Sequence, residues 1–140
     1  MSELPVVLLP VGAYRLVVPA RCLLRFVERP LLESKHGNDY VHCQNALWPL
    51  LTPSFVGAGQ SDSNHRSENQ HSIRIAIINH EACRFALRVL GIPETGYLRQ
   101  GQLRLRRDIV PGIFATGAYE WGTETVLLPS LSAIAQALEQ

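Results

Sequence analysis

The sequence predicts an all-β domain laid out as a duplicated small β-barrel, followed by a short C-terminal helix. Three observations lead there. Residues Val6–Pro30 (VVLLPVGAYRLVVPARCLLRFVERP) hold apolar runs at Val6–Pro10, Tyr14–Val18 and Cys22–Val27, separated by Gly12-Ala13 and Pro19. Short apolar, β-branched runs bounded by Gly or Pro suit strands buried on both faces, because an internal proline breaks a helical hydrogen-bond ladder. The same plan recurs at Ile73–Ile92 (IRIAIINHEACRFALRVLGI), with Asn79-His80-Glu81 in the place of the turn. Finally, Leu47-Trp48-Pro49-Leu50-Leu51-Thr52-Pro53-Ser54 resembles Thr125-Val126-Leu127-Leu128-Pro129-Ser130, so each half ends on an apolar piece closed by Pro-Ser. An echo of this kind, at about fifty to eighty residues, is the mark of a repeated structural unit.

Between these landmarks the chain divides in order. Leu31–Ala46 (LLESKHGNDYVHCQNA) is polar around a His-Gly-Asn-Asp cluster and predicts turn and loop with little regular structure. Leu47–Val56 is apolar, and Pro49 and Pro53 limit it to a short edge strand. Gly57–Ser72 (GAGQSDSNHRSENQHS) has no anchor for a core and predicts a flexible loop between the halves. The expected organisation is therefore a single domain over 1–140, with a first half near 1–56, a loop at 57–72 and a second half at 73–140.

Ile73–Ile78 reads as a strand. For Asn79–Leu90 the residues fit two structures: a helix capped by Asn79 and ended by Gly91, or a strand in which Phe85, Leu87 and Val89 alternate. The parallel with the first unit favours the strand. Pro93–Gly101 is turn-rich, and Leu103–Arg106 alternates apolar with basic as a half-exposed strand does. Ile109–Thr116 and Thr123–Leu128 form a hairpin around GAYEWG, and Ser130 caps a helix with Leu131, Ile134, Ala135 and Leu138 on one face.

The 140 residues are 46% hydrophobic and 18% charged, with a net charge of +1, which gives no long-range field toward nucleic acid or membrane. Pro10, Arg15, Arg21 and Arg25 interrupt the most apolar region, so no membrane span is expected. The start MSELP lacks the features of a signal peptide, so a cytoplasmic location is expected. Cys22, Cys43 and Cys83 are odd in number and widely spaced, so reduced, buried thiols are expected rather than a disulfide or metal framework.

Several residues invite a chemical reading. His80 and Cys83 could pair as base and nucleophile, but no third group orients them, and an apolar run is where an inert thiol belongs. His36, His42, Cys43, His65 and His71 lack the spacing of a zinc site. Arg99, Arg104, Arg106 and Arg107 form the densest basic cluster. They suit a nucleic-acid-binding barrel, yet no aromatic platform interleaves them, and positive charge commonly guards a strand edge. Tyr119 and Trp121, between Gly117 and Gly122, are expected at a hairpin tip, folded over the barrel or displayed as interface anchors. Leu23, Arg25 and Val27 lie on the third apolar run.

Together the segments VVLLPVGAYRLVVPARCLLRFV, IRIAIINHEACRFALRVLGI, IVPGIFATG and TVLLPSLSAIAQAL resemble the CheW-like domain family of bacterial chemotaxis coupling proteins, over most of residues 5–139. The resemblance implies two intertwined, five-stranded SH3-like barrels and a non-catalytic adaptor that joins a chemotaxis-type histidine kinase to the cytoplasmic tip of a chemoreceptor. It implies no cofactor, and it places Leu23, Arg25 and Val27 near partner-binding surface. Arg104, Arg106, Tyr119 and Trp121 complete the expected partner-binding set, with no nucleic acid and no membrane insertion. The chain departs from the family pattern at three places. The segment HCQNALWPLL lacks the family's Arg-Gly pair, and Arg25 and Leu90 stand where acidic residues are usual. Such divergence resembles members of systems that govern type IV pilus-dependent motility. The alternatives are a nucleic-acid-binding barrel using the Arg99–Arg107 cluster and a cysteine-dependent enzyme.

Overall fold

The computed structural model describes residues 3–51, 74–81, 83–99, 101–109 and 115–138. The expected loop at 57–72 lies outside them. Among the described residues twelve strands form two six-stranded sheets, one strand more in each than the five expected. The first sheet has the order β10-β11-β12-β2-β1-β9, and the second β3-β7-β8-β6-β5-β4. The strands are β1 (Glu3–Pro10), β2 (Arg15–Pro19), β3 (Leu23–Val27), β4 (Leu32–Lys35), β5 (Asn38–Cys43), β6 (Ala46–Leu51), β7 (Arg74–Asn79), β8 (Arg84–Val89), β9 (Glu94–Arg99), β10 (Arg104–Leu105), β11 (Ala115–Trp121) and β12 (Glu124–Pro129), followed by helix α1 (Leu131–Leu138).

The two orders match strand for strand. In each sheet an antiparallel hairpin, β1–β2 or β7–β8, receives a parallel strand on one side, β12 or β6, and an antiparallel strand on the other, β9 or β3. Each half of the chain gives a hairpin to one sheet and four strands to the other, so the barrels are interlocked. The runs Val6–Pro10 and Tyr14–Val18, and those of the second unit, are the two hairpins, the run Cys22–Val27 leads into β3 of the other sheet, and in sequence each Pro-Ser pair comes at or just after the end of a parallel strand.

Double-sided burial of the hairpins sorts by strand parity. Val6, Leu8, Val17 and Val126 face the interior of the first barrel. Ile75, Ile77 and Ala86 face that of the second, with Val41, Cys43 and Trp48. The alternate residues Val7, Leu9, Leu16, Val18, Ala76, Ile78, Phe85, Leu87 and Leu127 form one shared core between the barrels. Such two-faced burial is why the hairpins read as continuous apolar runs rather than alternating ones. Asn79–Leu90 is resolved in favour of the strand: β8 follows a turn closed by reciprocal backbone bonds between His80 and Cys83, at 3.0 and 3.1 Å. Helix α1 is capped by Ser130, whose Oγ accepts the Ala133 amide at 3.3 Å, and Ile134 is buried in the shared core.

Four segments differ from expectation. Leu31–Ala46 is not loop: β4 and β5 form a hairpin through His36 (φ 53°) and Gly37 (φ 83°), and β5 and β6 another through Gln44 (φ 52°) and Asn45 (φ 63°). Two successive positive φ values define the tight turn whose twist suits paired strands. Of Leu47–Val56, the described residues up to Leu51 form not an edge strand but an internal one, since β6 pairs with both β5 and β8. The two-residue loop makes Cys43/Ala46 a hydrogen-bonded pair, so by alternation Tyr40/Pro49 is non-hydrogen-bonded, and the missing proline N–H breaks nothing there. Pro93–Gly101 contains β9, whose pairing with β1 supplies the order its sequence lacks. Gly117–Trp121 belong to β11, and the turn sits at the end of GAYEWG, at Gly122 (φ 65°) and Thr123.

Candidate protein-interaction surfaces

The expected partner-binding residues fall into two groups on different sheets. Leu23, Arg25 and Val27 lie on β3, which among the described residues has a partner strand on one side only. A bulge between Leu23 and Arg25 interrupts the pairing with β7 and turns the strand partway along. Leu23 consequently packs on the shared core and Val27 on the interior of the second barrel, while Leu24 and Arg25 are exposed.

The second group sits on the first barrel. Tyr119 and Trp121 are half-buried against its interior cluster, beside Leu4, Leu98 and Leu103. Trp121 reaches across to β9, where a Cβ on Gly96 would stand 3.6 Å from its ring, and a Cβ on Gly117 would come within 3.1 Å of the Tyr119 ring. Both aromatics are folded over the barrel. Strand β10 spans only two residues, with Arg104 opposite Glu120 and Leu105 opposite Tyr119. The expected alternation over Leu103–Arg106 is inverted at its end: Leu105 is exposed, and Arg106 is half-buried.

Electrostatics in the first barrel are largely paired. Arg106 donates to Asp108 at 2.9 and 2.7 Å and to Thr125 Oγ1 at 3.0 Å, and this pairing holds the Asp108 carboxyl down at about 2. Arg99 meets Glu3 at 2.5 Å. Two of the four arginines proposed for a nucleic-acid surface, Arg99 and Arg106, thus pair with carboxylates, which lowers the phosphate-binding potential that reading requires.

Cys83 is buried, and burial pushes its thiol up, with Cys22 nearby adding to the shift. That is the direction opposite to an activated nucleophile. Among the described residues no three His, Cys, Asp or Glu side chains gather as metal ligands, and His42 instead pairs with Glu33 at 2.8 Å. No described helix is long and apolar enough to cross a membrane.

Sequence reasoning missed the exposed apolar side chains. Ile92 and Tyr97 (79% and 62% exposed) flank and line β9, and Leu105 lies on β10; Leu24 lies on β3, and Leu31 and Leu32 at the start of β4. In the matched strand orders, β3 and β4 correspond to β9 and β10. The large exposed apolar residues therefore sit on two equivalent edges. Exposed leucines within apolar runs carry no sequence signal, whereas the Thr95, Tyr97, Arg99 alternation could have revealed β9.

No protein-family model matches the chain, and no curated protein matches it in sequence. Among solved structures it is similar to the crystal structure of the scaffolding protein TtCheW from Thermoanaerobacter tengcongensis. The TM-score is 0.68, with 92% of this chain and 85% of that one covered at 11% identity. At that identity the likeness shows a shared CheW-like fold of two small β-barrels.

Proposed function

We propose that this protein is a non-catalytic adaptor of bacterial chemosensory signalling, a cytoplasmic single domain that binds a chemotaxis-type histidine kinase, a chemoreceptor tip, or both. The observation that carries this reading is the fold shared with a scaffolding protein along nearly the whole chain. Two equivalent strand edges bearing exposed apolar side chains support it, because an adaptor needs distinct surfaces for distinct partners.

In this reading Arg25 and Arg104 make direct contacts from the two edges. Leu23, Val27, Tyr119 and Trp121 hold those edges in shape, and Arg106 braces β10 against β12. The departures at Arg25, at Leu90 and in HCQNALWPLL fit a member serving a type IV pilus-linked system. Deleting the gene in the native bacterium tests this. Loss of directed swimming or of directed surface movement, with flagella and pili still assembled, is expected; unchanged directional behaviour in both assays overturns the reading.

A further inference from the structure

The twelve-residue segment Arg21–Leu32 is anchored by Cys22, Leu23, Phe26 and Val27, and it turns Arg21, Leu24, Arg25, Arg29, Leu31 and Leu32 outward. Leu24, Leu31 and Leu32 are 39%, 66% and 44% exposed. None of the three arginines has a carboxylate partner among the described residues, and neighbouring Glu28 is turned to Arg74 at 3.4 Å. Four residues separate β3 from β4, which keeps the end of β3 at Val27 and the start of β4 at Leu32 within about 17 Å. Apolar and basic groups thus share one rim.

On the equivalent rim of the first barrel more of the charge is paired: Arg99 is held by Glu3 and Arg106 by Asp108, and Arg104 stands opposite Glu120 across β10 and β11, which leaves Arg107 exposed without a carboxylate among the described residues. The imbalance extends to whole barrels. Residues 20–51 and 74–91 carry seven Lys/Arg and four Asp/Glu, while 3–19 and 92–138 carry five of each.

From this juxtaposition we infer that the Arg21–Leu32 rim docks a segment of a protein partner in which carboxylates alternate with apolar side chains. The inference rests on the adaptor reading for the identity of that partner. Arginines alone would serve to guard a strand edge, but a guarded edge has no use for three exposed leucines. A second copy of the chain set on the rim by a two-fold axis would bring like charges together. Phosphodiester backbones offer nothing to the leucines. An anionic lipid surface would meet both side-chain types, but it cannot pair the free backbone groups of β3, which an extended segment can.

The test uses the full chain and a fluorescent synthetic peptide alternating Glu with Leu and Val, with Lys-for-Glu and Ser-for-Leu controls. Binding is followed by anisotropy and by amide chemical-shift mapping. The inference expects the Glu/Leu peptide alone to bind, with shifts on β3 and β4. Arg25→Glu with Arg29→Glu should weaken it about tenfold or more, and Arg107→Glu, at an exposed position of the first barrel, should leave it unchanged. Equal binding of the Lys peptide, shifts confined to β9, or unchanged affinity in the double variant overturns it. So does engagement of the rim by phosphatidylglycerol vesicles or an oligonucleotide when the peptide does not bind. Mapping on the unaltered protein needs no variant to fold. Peptide binding here without any kinase or receptor partner would sink the adaptor reading alone, and a kinase insensitive to the double variant would sink the rim alone.

Discussion

Arg15 of β2 and Glu124 of β12, separated by 109 residues, form a two-point ion pair in which the Arg15 Nε donates to Oε2 at 2.7 Å and an Nη donates to Oε1. The other Nη donates to Glu94 of β9. Strands β2 and β12 meet only through Val126/Arg15 and Leu127/Leu16, so the pair reinforces a short parallel junction between the chain's first hairpin and its last strands. The second barrel closes its matching β6–β8 junction through two residue pairs, and no ion pair there stands among the described residues.

Arg15→Ala and Glu124→Ala should each destabilise the fold. A double-mutant cycle by chemical denaturation should show a coupling of about 1 kcal/mol, the scale of a partly exposed, two-point arginine–carboxylate pair. Additive losses would mean that the junction is held by its backbone bonds and packing alone.

Phe85 is buried in the core common to both barrels. Phe85→Ala should cost about 3–5 kcal/mol, and the loss should be felt in both barrels at once. Trp48 lies in the second barrel and Trp121 in the first, and they are the protein's two tryptophans. With one changed to Phe at a time, the fluorescence of the other should report a coincident unfolding midpoint, and separate midpoints would show barrels that fold independently.

Gly37 holds φ +83° in the β4–β5 turn, with open space where a Cβ would stand. Gly37→Ala should therefore destabilise by about 1 kcal/mol through backbone strain alone. Gly37→Asn, a residue that accepts this region more readily, should recover part of the loss in the same denaturation assay.

The Asp108 carboxyl, held at about 2 by Arg106, is depressed below its unfolded value. A depressed carboxylate contributes stability that is present above the unfolded pKa, near 4, and lost as pH falls through the folded one. Titration of the side-chain carboxyl by NMR should place its midpoint near 2 in the unaltered protein and in the ordinary range in Arg106→Ala. An unshifted midpoint in the unaltered protein would remove the pair. Glu33 is depressed by His42 first and by Lys35 second, so its carboxyl should titrate at a higher pH in His42→Ala than in the unaltered protein.

Much of the architecture was legible because it rests on burial. The hairpins β1–β2 and β7–β8 are buried on both faces, and the resulting runs from Val6 to Val18 and from Ile75 to Val89 announce themselves. Ser130 and Ile134 likewise spell out a cap and a buried helix face. What escaped depends on pairing across the fold. β9 is ordered by β1, β6 accepts Pro49 because its N–H position goes unused, and the positive φ values of Gln44 and Asn45 make a turn from residues with no glycine beside them. The site was half legible. The sequence pointed to Arg25 and to the aromatics of β11, but which arginines lack a carboxylate and which leucines stand outside follow only from the interlocked topology.

The most direct test of the adaptor account is affinity capture from the native bacterium with the purified protein as bait, followed by mass spectrometry. Phe85→Ala serves as a folding control and Arg25→Glu as a surface variant. The account predicts recovery of a chemotaxis-type histidine kinase or chemoreceptor that survives high-stringency washing and falls sharply with Arg25→Glu. Recovery of neither by the folded, unaltered protein would contradict it.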